Sequence, residues 1–128
     1  MHATTVAVDL AKSVFQLAVA DDRWRVVETH RLSRTQFERW FANRDVRLVI
    51  MEACGSAHHW ARWLIGLGIE VKLLPAQYVR AYVKRNKTDA ADAAALLEAA
   101  RASDIRPVRV KSVEQQALQG LHRIRSSG

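Results

Sequence analysis

The chain has 128 residues, with 20 Lys and Arg against 13 Asp and Glu, a formal charge of +7 and a pI near 10.3. That length suits one domain with its own core, and the basic balance favours a polyanionic partner, nucleic acid before an anionic membrane surface. No apolar run approaches the ~20 residues that span a bilayer, no basic-then-apolar leader is visible, and the single Cys54 excludes an internal disulfide, so a cytoplasmic protein without a membrane partner is expected.

The stretch Thr4 to Leu10 is β-rich and carries Asp9 near its end. Val14 to Ala20 is a second apolar strand, Asp21-Asp22 a turn, and Trp24 to His30 a third strand with the polar alternation of a sheet edge. Short links between the three predict an antiparallel meander. Ser33 is positioned to cap a helix through about Ala42, in which Phe37, Trp40 and Phe41 share a face.

Val46 to Met51 reads as a strand covered on both sides, ending on Glu52. Ser56 is expected to cap a helix through about Leu67, with Gly68 stopping it as the C′ residue. Ile69 to Leu74 is a fifth strand closed by Pro75, and a short basic helix is expected over 76–83. A further helix is predicted over 88–102, where Thr88 is a good N-cap and seven of the residues from Asp89 to Arg101 are alanine. Val108 to Val110 is extended, and an amphipathic segment with Val113, Leu118, Leu121 and Ile124 begins near Ser112 and runs into the chain end.

The few acids fall at telling positions. Asp89 and Asp92 stand at i and i+3, roughly 5–6 Å apart on one helix face. They complement the positive end of the helix dipole, or they bind a cation between them. Asp9 and Glu52 close apolar strands, at the carboxyl ends where open α/β sheets place their sites. Right-handed crossovers put the fourth strand beside the first. If the 88–102 helix packs on those strands, four carboxylates converge, and one or two divalent ions are needed to balance them.

Upstream of the acidic pair, Arg80, Lys84, Arg85 and Lys87 form either a grip on a phosphate backbone or a solvated helix face. Arg101, Arg106, Arg109 and Lys111 are a second basic set that extends the same groove if the first is real. His58 and His59 point to different helix faces and lack a matching ligand spacing. Cys54 has no identifiable base, and Ala11-Lys12-Ser13 lacks the glycines of a phosphate-cradling loop. Trp24, Trp40, Trp60 and Trp63 read as core or interface residues.

The set Val8-Asp9, Met51-Glu52-Ala53, Pro75 with Val79, and Lys87-Thr88-Asp89-Ala90-Ala91-Asp92-Ala93 resembles the N-terminal domain of one insertion-sequence transposase family. That family has a RuvC-like DEDD domain and includes the Piv DNA invertases and the bridge-RNA-guided recombinases. The resemblance runs from about residue 4 to 110. It implies an α/β, RNase H-like fold: a mixed five-stranded sheet flanked by helices, with residues 1–110 as the DEDD domain and 111–128 as the start of a helical, coiled-coil segment. It also implies Asp9, Glu52, Asp89 and Asp92 as catalytic ligands of Mg²⁺, with Mn²⁺ as a substitute. The partners implied are DNA, a guide RNA in the RNA-guided branch, and further copies of the chain through the C-terminal helix. The family's nucleophilic serine lies beyond the coiled coil and maps to no residue here, so the chain is expected to be an N-terminal catalytic portion of a transposase or site-specific recombinase that cleaves and transfers DNA strands. A stand-alone nuclease or junction resolvase of the same fold, and an inactive basic nucleic-acid-binding fragment, are the alternatives.

Overall fold

The computed structural model describes residues 4–11, 13–77, 79, 89–101 and 108–118, with the backbone alone at 43, 89–92, 94 and 95. Five strands form one mixed sheet: β1 (Thr4–Leu10), β2 (Phe15–Ala20), β3 (Val26–Leu32), β4 (Val46–Glu52) and β5 (Glu70–Leu74), in the order β3-β2-β1-β4-β5. β1, β2 and β3 pair antiparallel, whereas β4 runs parallel to β1 and β5 parallel to β4. The meander and the placement of the fourth strand beside the first are as expected from the connections. This strand order and polarity is the RNase H-like plan.

The alternation of side chains along each strand sorts the core into two layers. Val6, Val8, Phe15, Leu17, Val19, Val49, Met51 and Leu73 face α1 (Arg34–Trp40) and α2 (Gly55–Gly66). Phe37 fills the centre of that layer, with edge-to-face contacts to Phe15 at 4.8 Å, Phe41 at 5.0 Å and Trp60 at 5.2 Å. On the opposite face Ala7, Ala18, Ala20, Ile50 and Leu74 meet Ala93, Leu96, Leu97 and Ala99 of α3 (Asp89–Arg101). Alanine on both sides lets this helix lie close to the sheet, chiefly over β1, β2 and β4. Of the helix expected over 88–102, residues 89–101 are helical and pack on the sheet, while 88 and 102 lie outside the described residues.

Local chemistry explains the boundaries. Ser33 and Gln36 form a reciprocal capping box at the start of α1, which passes into a 3-10 turn over Phe41–Asn43. Gly68, at φ 87°, closes α2 in a Schellman motif, its N–H donating to Ile65 while that of Ile69 donates to Leu64. α2 starts two residues earlier than Ser56 predicts: Cys54 is the N-cap, and Ser56 Oγ instead lies 3.5 Å from the Cys54 thiol. β3 starts two residues later than expected because Asp21 accepts from the N–H groups of Arg23 and Arg25, and Trp24 adopts φ 64° inside that turn.

The expected helix over 76–83 lies largely outside the described residues; 76, 77 and 79 are helical and Val79 is buried against the α3 layer. Val108 bridges antiparallel to Leu73, its N–H donating to the Leu73 carbonyl at 2.6 Å. Residues 113–118 are helical and begin with a second capping box, between Ser112 and Gln115. No helix among the described residues is long and apolar enough to cross a membrane.

Candidate active site

The parallel pairing of β1 and β4 runs in register through Val6–Val49, Ala7–Ile50 and Val8–Met51. One residue further along both strands stand Asp9 and Glu52. Opposed residues in a sheet point to the same face, and Ala7 and Ile50 face α3, so Asp9 and Glu52 belong to that face as well. Both are half-buried at the carboxyl ends of the two central parallel strands. Glu52 is in turn paired with Leu74 of β5, whose carbonyl accepts the N–H of Ala53 at 2.8 Å. The chain leaving Glu52 is thus pinned to its neighbour before α2 begins.

Asp89 and Asp92 are the first and fourth residues of α3. Counting at 3.6 residues per turn, positions 89, 92, 93, 96, 99 and 100 fall on one stripe, and Ala93, Leu96 and Ala99 of that stripe are buried on the sheet. The helix that carries the acidic pair therefore packs on the face that carries Asp9 and Glu52. The side chains of Asp89 and Asp92 lie outside the described residues, and so do Arg80, Lys84, Arg85, Lys87 and Arg106. Among the described residues no three His, Cys, Asp or Glu side chains gather as a metal centre. Two adjacent carboxylates nevertheless offer the hard oxygen donors that Mg²⁺ favours.

Of the second basic set, Arg101 and Arg109 are exposed, while Lys111 is half-buried where its backbone crosses α2. His58, buried in the helix, accepts the Lys111 N–H through Nδ1 at 3.0 Å, and Arg62 donates to the Lys111 carbonyl. Burial, and then the positive charges of Lys111 and Arg62, hold the His58 pKa below its ordinary value. His59 is exposed on another face, as adjacent helical residues should be. The thiol of Cys54 is exposed at the start of α2.

Two residues near the strand-end acids escaped the sequence reading. Gln16 is opposed to Asp9, and Arg31 is opposed to Gln16. The signal was a lone polar side chain in the apolar run Phe15 to Ala20, which needed the hairpin register to acquire meaning.

A mixed sheet of this order, with acids at the ends of its two central parallel strands, has the RNase H-like plan. The sequence profile of the IS110-type DEDD transposases, described simply as transposase, matches residues 6–127, and the chain belongs to that family. It is similar to a probable family 20 transposase of Pseudomonas aeruginosa, 48% identical over 126 residues and 98% of this chain. It is also similar to the transposase for insertion sequence element IS1111A of Coxiella burnetii, 46% identical over 120 residues and 94% of this chain. The chain spans only 37% and 33% of those two proteins. Among solved structures it is similar to the catalytic core domain of BIV integrase, covering 95% of this chain and 97% of that one, at 13% identity and a TM-score of 0.38, a likeness too distant to bear on function.

Proposed function

We propose that residues 1–110 are the catalytic DEDD domain of a DNA transposase or site-specific recombinase, and that 111–128 begin a helical segment joining it to further copies of the chain. The observation that carries this reading is the register of β1 and β4, which sets Asp9 beside Glu52 on the face packed by α3. Asp9, Glu52, Asp89 and Asp92 would hold Mg²⁺, with Mn²⁺ as a substitute. When bound there, such ions stabilise charge on the attacking and leaving oxygens of a phosphodiester. The chain's own contribution is rigidity. β1 and β4 are buried on both faces just before their acids, so the carboxylates sit on backbone that cannot yield when a phosphate approaches.

DNA is the proposed substrate and Arg80, Lys84, Arg85 and Lys87 the proposed phosphate contacts, with a guide RNA as a further partner. Support comes from family membership and from the charge of +7. The deciding experiment is thermal melting of the chain in EDTA and in excess Mg²⁺. Mg²⁺ should raise the midpoint of the wild type by mass action and raise that of Glu52→Gln much less. Equal shifts for both proteins would remove Glu52 from the site.

A further inference from the structure

A polar row crosses the sheet from the proposed site to its open edge. Asp9 of β1 is opposed to Gln16 of β2, and Gln16 to Arg31 of β3, so all three project from the face on which α3 lies. Strands are spaced 4.7–4.9 Å, which puts Arg31 about 10 Å from Asp9. α3 covers β1, β2 and β4, and no residue of β3 joins its apolar layer. Thr29 and Arg31 consequently stay exposed on the β3 edge, which joins no apolar layer of α3, and Gln16 of β2 is half-buried beside them. Among the described residues Arg31 has no acidic partner, whereas Arg44 pairs with Glu28 at 3.1 Å and Arg62 is engaged by Lys111.

The two faces of this edge strand differ in charge. Glu28 and His30 project toward α1, where Arg44 stacks over Trp40 at 4.5 Å and closes the surface. The face toward α3 carries Thr29 and Arg31, with no acid of β3 among them. A polyanion approaching the edge meets a carboxylate on one side and a guanidinium with two neutral hydrogen-bonding groups on the other.

We propose that the row of half-buried Gln16 with exposed Thr29 and Arg31 is a docking track for the backbone of a DNA strand, beside the phosphate that metal ions at Asp9 and Glu52 would hold. The inference takes its direction from the site proposed above. Arg31 matches a phosphate with its forked N–H groups. Gln16 and Thr29 donate to phosphate or sugar oxygens and position the strand without reading its sequence.

The test is the affinity of the full chain for a labelled random-sequence DNA duplex, measured over a salt series at fixed Mg²⁺. Arg31→Ala should weaken binding several-fold and reduce the log–log salt slope by about 0.9, the value for one lost phosphate contact. Gln16→Ala should weaken binding with the slope unchanged. Arg39→Ala removes the same charge from exposed α1, on the opposite layer, and should change neither quantity. An unchanged slope for Arg31→Ala, an equal loss in Arg39→Ala, or no binding by the wild type overturns the track. Arg31-dependent binding of an RNA duplex in preference to DNA overturns the choice of strand. If Arg31→Ala behaves as expected while Glu52→Gln keeps its full Mg²⁺ stabilisation, the track stands and the metal site falls; the reverse pair of results removes the track alone.

Discussion

Nδ1 of His58 accepts the backbone N–H of Lys111 at 3.0 Å, and Arg62 donates to the carbonyl of the same residue, so α2 holds the two successive peptide groups that flank the Lys111 Cα. An acceptor Nδ1 leaves the proton of the neutral ring on Nε2. Gln116 adds a third tie, from its side chain to the Gly55 carbonyl at 3.0 Å. The segment that leads into helical residues 113–118 thus leaves the domain in a fixed direction.

This clasp makes stability depend on pH. Burial holds the His58 pKa below its ordinary 6.5, so the unfolded chain binds a proton that the folded one refuses. Stability from the neutral ring is complete above 6.5 and is lost as the pH falls toward the lowered value. Thermal melts between about pH 8 and pH 5 should show the midpoint falling below 6.5 in the wild type. His58→Asn keeps an acceptor near Nδ1 but does not titrate, and should flatten the curve. Parallel curves for both proteins would assign the dependence elsewhere.

Two neighbouring glycines should respond with opposite signs. Gly66 is the last residue of α2, and an added Cβ there meets nothing within 4 Å. Gly66→Ala should stabilise by about 0.5 kcal/mol through helix propensity. Gly68 also has open space but sits at φ 87°, so Gly68→Ala should cost about 1–2 kcal/mol in backbone strain alone. Urea unfolding of the two variants measures both, and two shifts of the same sign would contradict the Schellman assignment.

The core offers a larger effect. Phe37 is fully buried and meets Phe15, Phe41 and Trp60 edge-on. Phe37→Ala should cost about 3–5 kcal/mol. A loss below about 1 kcal/mol in denaturant unfolding would mean that α1 is not anchored through this ring.

Much of this architecture is legible in the sequence because it is written in local signals. Ser33 with Gln36, Gly68, and the alternation in β1 each fix an element through chemistry within a few residues. The starts of β3 and α2 are less legible. The Asp21 side chain extends its turn past Trp24, and α2 begins two residues before a Ser56 cap would place it, from Cys54, which makes no side-chain capping bond. Asp9 and Glu52 could be picked out as strand-ending acids, but Gln16 and Arg31 could not. Their meaning depends on the register of β2 against β1 and β3, a property of pairs of strands rather than of either one. The role of His58 likewise needed the return of Lys111 from far along the chain.

The sign of one stability change separates a metal role for Asp92 from a helix-dipole role. Asp92 is the fourth residue of α3, where a carboxylate stabilises by about 0.3–1 kcal/mol through the dipole. On that account alone, Asp92→Asn should lower the melting midpoint equally in EDTA and in Mg²⁺. In a four-carboxylate site, Asp92 would instead stand in repulsion with Asp9, Glu52 and Asp89 when no metal is bound. Removing its charge should then leave the metal-free protein as stable as the wild type or more so. Mg²⁺ at about 100 times its Kd should add about 2.7 kcal/mol to the wild type and much less to the variant. Asparagine preserves the shape of the side chain, so packing does not confuse the comparison. A loss of equal size in both buffers would take Asp92 out of the site and return it to the helix dipole.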